Sequence, residues 1–160
     1  GSVNVDVVEA RAGDTPDVRG GLPQLRSWAG VYADEIMAIH VVEHFWRWEV
    51  EDILLEWIRV LKPGGRMVLE CPNLISACEE FLKNTELRSR PDQAGQRTMW
   101  VFYGDPSWKD PYMIHRWGYT PDSLKTLMES VGLTNVTQEP AQYKLKEPRD
   151  MRLVGYKFTW

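Results

Sequence analysis

Three histidines are the whole imidazole supply of this chain, and two of them flank an acid in His40-Val41-Val42-Glu43-His44. That three- and four-residue spacing would bring the three side chains to one side of a helical turn. With His115, from a distant aromatic stretch, they offer three imidazoles and one carboxylate, an acceptable ligand set for zinc, manganese or iron. The plainer reading is preferred: ordinary hydrogen-bonded histidines beside a pocket, with no metal. On that reading Glu43 and His44 open a helix and hold its first turn through hydrogen bonds and the helix dipole. Cys71 and Cys78 match neither a Cys-x-x-Cys pair nor a zinc pattern, so they read as reduced thiols.

The elements that must position these side chains follow from periodicity and breakers. Residues 3–8 alternate and are β-branched, which predicts a strand. Glycines and prolines break residues 9–30 into loop, a very short strand near Asp17-Val18 and a helical turn over 22–28. A strand over 31–41 carries His40 to its exit. Val50, Ile53, Leu54, Trp57, Ile58 and Leu61 recur at three- and four-residue intervals, predicting a helix over 48–61 that Pro63-Gly64-Gly65 stops. Trp46 and Trp48, near its start, read as core or rim. A buried strand over 66–71 ends at Pro72-Asn73, and a helix over 74–84 presents Leu74, Ala77, Cys78, Phe81 and Leu82 on one face. Residues 85–119 read as irregular, polar first and then aromatic. They form either a lid over bound substrate or a loop folded on itself to cover the sheet edge. Thr120-Pro121 caps a helix that buries Leu124, Leu127, Met128 and Val131 and ends at Gly132. Strands over 135–143 and 151–158 are expected to be antiparallel. The alternation predicts one α/β domain over residues 1–160 with a mostly parallel sheet.

Four stretches, in this order, resemble elements of class I S-adenosylmethionine-dependent methyltransferases, and of a bacterial group described as predicted methyltransferases in particular. They are Val3-Asn4-Val5-Asp6, Ile39-His40-Val41-Val42-Glu43-His44-Phe45, Arg59-Val60-Leu61-Lys62-Pro63-Gly64-Gly65, and His115-Arg116-Trp117-Gly118-Tyr119-Thr120 through Gly132-Leu133. The resemblance covers nearly the whole chain. It implies a Rossmann-like fold, S-adenosylmethionine as cofactor and S-adenosylhomocysteine as product. It implies that Asp6 holds the ribose, its carboxylate accepting from two vicinal hydroxyls, with Leu22 and His40 beside the cofactor. His44 would be the general base for the acceptor's proton, with Glu43 its catalytic neighbour, and Asn73, Tyr103 and His115 would face the acceptor.

Two departures accompany the resemblance. The first strand and Gly-rich loop that precede the Val-Asn-Val-Asp element in these enzymes have no counterpart ahead of Val3. Unpaired backbone groups would then flank a gap in the sheet. The strands close up on each other, a second copy completes the sheet as a homodimer, or the chain is a fragment. Relatives also carry an acid, near the adenine amino group, where Gly21 stands here. The alternative function is a truncated or degenerate, non-catalytic methyltransferase-like protein acting through partner binding or self-association.

Composition bounds the partners. The chain has 160 residues, 43% hydrophobic and 26% charged, as in an ordinary globular protein. No apolar run approaches the roughly 20 residues that span a bilayer, so no membrane partner is expected, and the reduced thiols point to a cytoplasmic location. A net charge of −4 disfavours nucleic acid, whose binding needs cations against phosphates. A small-molecule acceptor is the expected substrate.

Overall fold

The computed structural model describes residues 5–6, 18–19, 30, 33–90, 92, 99–143 and 149–159. Two short strands, β1 (Val5–Asp6) and β2 (Val18–Arg19), pair in parallel, Val5 opposite Val18. The helical turn expected over 22–28 lies outside the described residues.

A four-stranded sheet carries the rest. β3 (Ala33–Ile39) and β4 (Leu61–Pro72) pair in parallel, with Ile36 opposite Met67 and Ile39 opposite Glu70. β5 (Leu133–Glu139) and β6 (Asp150–Lys157) pair antiparallel, and β6 also runs antiparallel to β4, giving the order β3-β4-β6-β5. β3, β4 and β5 therefore point one way and β6 is threaded against them between β4 and β5. The antiparallel pairing agrees with the sequence reading; the position of the reversed strand inside the sheet was not foreseen. Residues Met67 to Cys71 of β4 are buried almost without a break, as befits a strand covered on both faces.

α1 (Val50–Val60) lays Val50, Ile53, Leu54, Trp57 and Val60 against the sheet. It starts two residues later than predicted, because Trp48 lies in the preceding turn, 75% exposed and stacked on Trp46. β4 starts earlier than predicted, at Leu61, where the helix stops. The Lys-Pro-Gly-Gly segment is not a turn ahead of the strand but an irregularity within it, where pairing jumps from Ala33–Leu61 to Glu35–Arg66. Gly64 has φ +75°, and a Cβ on Gly65 would meet the Lys62 carbonyl at 2.8 Å, so this bulge needs both glycines.

α2 (Leu74–Lys83) corrects the predicted burial. Only Ala77 of its apolar stripe is buried, Leu82 is 66% exposed and Cys78 is exposed. Its Phe81 meets Phe102 edge to face, a contact with the aromatic segment. That segment is not wholly irregular: it holds α3 (Thr85–Arg88), a helical stretch over 99–103, and single 3-10 turns at Pro106–Trp108 and Pro111–Met113. α4 (Pro121–Ser130) has the predicted cap, with Thr120 and Ser123 bonding each other's main-chain N–H, and Gly132 follows at φ +94°. Val42, Leu54, Met67, Leu69, Leu124, Met128 and Leu153 form the centre of the core, each burial worth about 1.5–3 kcal/mol. Among the described residues no helix is long and apolar enough to cross a membrane.

Candidate functional site

Because β3 and β4 are parallel neighbours, their carboxyl ends lie side by side, His40 beyond Ile39 and Cys71-Pro72-Asn73 beyond Glu70. In open α/β sheets ligands bind in the crevice outside such ends. His40 leaves β3 in the left-handed region, φ 53°, while its N–H donates to the Glu70 carbonyl at 2.7 Å. This turn sends the chain into a 3-10 turn, Val42–His44, which buries Glu43 to 2% exposure. A side chain at φ > 0 is uncommon and marks a locally constrained exit.

Both ring nitrogens of His40 meet carboxylates. Nδ1 lies 3.1 Å from Glu43 Oε1, and Nε2 lies 2.8 Å from Oδ2 of the buried Asp150. Burial alone would lower the pKa of His40, but hydrogen bonds and charge from Asp150 and Glu43 outweigh it and push the value up to about 9. His40 is thus an imidazolium clamp at the strand exit. Burial likewise pushes the Cys71 thiol well up, helped by Glu43, Asp150 and Glu70, so Cys71 is no nucleophile. The Tyr119 hydroxyl is also raised, by burial first.

A second buried pair anchors the floor. Glu70 accepts from Arg152 Nη1 at 3.1 Å, from Gln142 N at 3.0 Å and from Tyr143 N at 2.8 Å. It ties the last residues of β4 to β6 and to the chain leaving β5.

The segment over 114–117 is tied to the rim by its backbone. Arg116 N and Trp117 N donate to the Glu43 carbonyl at 2.7 and 3.3 Å, and Arg116 Nη1 donates to the His44 carbonyl at 3.1 Å. These bonds bring His115 beside His44, ring centroids 4.9 Å apart and planes at 77°. His44 Nδ1 donates to Ile114 O at 3.1 Å and His115 Nδ1 to Val101 O at 2.8 Å. One candidate ligand atom from each of Glu43, His44 and His115 lies within 4.8 Å of the others.

An apolar cleft of about 580 Å³ opens in this segment, lined by Met99, Trp100, Tyr103, Pro106, Pro111, Met113, Ile114 and their neighbours. Its shape depends on Gly104, at φ +85°, where a Cβ would sit 2.1 Å from the Met113 carbonyl. Asp105 and Asp110 cap the two 3-10 turns that form its rim.

The sequence-predicted residues therefore separate into groups. Glu43, His44 and His115 come together, with His40 behind Glu43. Tyr103 lines the cleft, 65% exposed. Asn73 stands at the β4 exit, but its side-chain oxygen is taken as the α2 cap, accepting from Ile75 N at 3.1 Å. Asp6 ends β1, whose backbone alone is described, and Leu22 lies outside the described residues. Asp150, Arg152 and Arg116 were missed. Asp150 had a weak signal, as an acid directly ahead of an apolar strand.

Residues 4–69 match a family model described as a methyltransferase domain. No curated protein matches the chain. Among solved structures, a SAM-dependent methyltransferase from Archaeoglobus fulgidus aligns with a TM-score of 0.63 and 19% identity, over 96% of this chain and 74% of that one. Human N-acetylserotonin methyltransferase, in complex with SAM, gives 0.53 and 15%, over 89% of this chain and 33% of its own. Magnesium protoporphyrin IX methyltransferase from Synechocystis PCC 6803, with bound SAH, gives 0.53 and 12%, over 91% and 53%. An O-methyltransferase family protein from Burkholderia thailandensis is likewise spanned over only 35% of its length. The fold is the Rossmann-like methyltransferase fold, and the resemblance to class I S-adenosylmethionine-dependent methyltransferases read from the sequence is borne out.

Proposed function

We propose that the chain is the cofactor-binding and acceptor-binding part of an S-adenosylmethionine-dependent methyltransferase acting on a small molecule with an apolar body. The observation that carries this reading is the pair of parallel strand ends at His40 and Cys71-Asn73, beside an apolar cleft, in a chain whose residues 4–69 match a methyltransferase domain. An acid ending a parallel strand, as Asp6 does, is the acceptor chemistry that suits a ribose diol. Asp6 and Leu22 would hold the nucleoside, together with the backbone at His40. His40 itself acts through its clamp, since both ring nitrogens are engaged.

S-adenosylmethionine, when bound, supplies a methyl group already activated on a sulfonium, so the protein's work is orientation and proton removal. His44 accepts the acceptor's proton at Nε2, because Nδ1 must carry its own proton to donate to the Ile114 carbonyl. Glu43 holds the turn that aims His44. Tyr103 and His115 border the acceptor, and Asn73 fixes the second strand exit.

Titrating S-adenosylhomocysteine into the chain tests this reading. Micromolar binding, roughly −8 kcal/mol, that Asp6→Ala weakens at least about tenfold is expected; no binding contradicts it. A second reading, a non-catalytic protein that self-associates, is favoured by β3, which lies at the edge of the four-stranded sheet. Absence of S-adenosylhomocysteine binding together with a dimer in solution would select it.

A further inference from the structure

We propose that Glu43, His44 and His115 form a binding site for a divalent first-row transition-metal ion, with zinc as its representative. Two imidazoles and one carboxylate are a donor set that such ions accept, with at least one coordination position left open. One ligand atom from each residue already lies within 4.8 Å of the other two. Closing that distance around an ion requires the side chains to rotate.

Three observations point to a ligand. First, His44 and His115 each present Nδ1 to a main-chain carbonyl, from Ile114 and from Val101. A carbonyl only accepts, so Nδ1 carries the proton and Nε2 holds the lone pair, the tautomer that a metal ligand needs. Second, the two rings are in edge-to-face contact rather than stacked, centroids 4.9 Å apart, which keeps both imidazoles within reach of one ion. Third, Glu43 is 2% exposed and its Oε2 has no hydrogen-bond partner among the described residues. A buried carboxylate oxygen left without a donor is costly unless a cation meets it.

The structure also narrows the set that the sequence suggested. His40 is not available as a ligand, because Glu43 and Asp150 occupy its two nitrogens. It stands behind Glu43, holding Oε1 and so orienting the carboxylate. Ile114, whose carbonyl fixes His44, also lines the apolar cleft, so the ion would adjoin it. A role in holding an acceptor oxygen or nitrogen rests on the methyltransferase reading; ion binding does not. A single Nε2 cannot both bind an ion and take a proton, so occupancy would replace the base role assigned to His44.

Calorimetry of the metal-stripped full chain with zinc chloride, and separately manganese chloride, tests the site. One zinc per chain is expected, weakened about 100-fold or more by His44→Ala or by His115→Ala. His40→Gln should weaken it roughly tenfold, and Cys78→Ser should leave it unchanged. X-ray absorption on zinc-loaded wild type does not depend on the variants folding, and should show nitrogen and oxygen ligands at about 2.0–2.1 Å. Absence of saturable heat, affinity indifferent to both histidine variants, or a sulfur ligand at about 2.3 Å would each overturn the site. S-adenosylhomocysteine binding, measured on the same samples, reports the methyltransferase reading separately.

Discussion

The floor of the rim and the segment over 99–117 beside it are held by opposite means. The floor is made of buried charge: Glu43, Glu70, Asp150 and Arg152 are all at most 3% exposed and are joined across β3, β4 and β6. The adjoining segment is made of rings that face solvent, Tyr103 at 65%, Trp108 at 53% and Tyr112 at 59% exposure, held by short capped turns and a few main-chain bonds. Removing one member of a buried ionic network strands its partners, so the floor tolerates little change. The capped turns have few such obligations, and segments of that kind open locally at low cost. Under the proposed function, the fixed half would meet the cofactor and the looser half the acceptor.

Glu70→Ala should do the most damage to the floor. It takes from Arg152 its buried carboxylate partner, leaving Glu139 at 3.5 Å from Nε, and removes the acceptor of two main-chain N–H groups. Urea denaturation should show a loss of about 3–5 kcal/mol; a loss below about 1 kcal/mol would mean the floor is not held by this network. The next effect is a pH dependence. The pKa of His40 is raised from 6.5 to about 9, so its contribution is fully present below pH 6.5 and disappears as pH rises through about 9. Melting temperatures between pH 6 and 10 should therefore fall more steeply for wild type than for His40→Gln, and parallel curves would contradict the clamp. The smallest effect belongs to the aromatic segment. Gly104→Ala forces a side chain onto φ +85° and against the Met113 carbonyl, costing about 1–3 kcal/mol. Hydrogen exchange should rise over 99–117 while β4 and β6 stay protected; loss of protection in both would erase the distinction between the regions.

Much of this architecture is legible in the sequence. α1 was readable because its apolar residues face a single partner, the sheet, and so repeat cleanly. α4 was readable because its cap, first-position proline and terminal glycine are local chemistry. α2 misled, since its equally regular stripe meets Phe102 of the aromatic segment and solvent instead of the core. Pro63-Gly64-Gly65 reads as a turn in sequence, and only the pairing of β3 shows it to be a bulge inside β4. The histidines were visible as residue types, but their roles depend on contacts across the chain. His40 meets Asp150, 110 positions away, and His44 contacts the Ile114 carbonyl, 70 positions away. No local pattern encodes either meeting.

On the proposed function, the carboxyl ends of β3 and β4 border a nucleoside site. Amide chemical-shift mapping with S-adenosylhomocysteine addresses it directly. Saturable shifts concentrated at residues 40–44 and 71–73, at a single dissociation constant, are expected. Shifts confined to the opposite ends of these strands, near Lys62–Arg66, or no shifts at all, would contradict it.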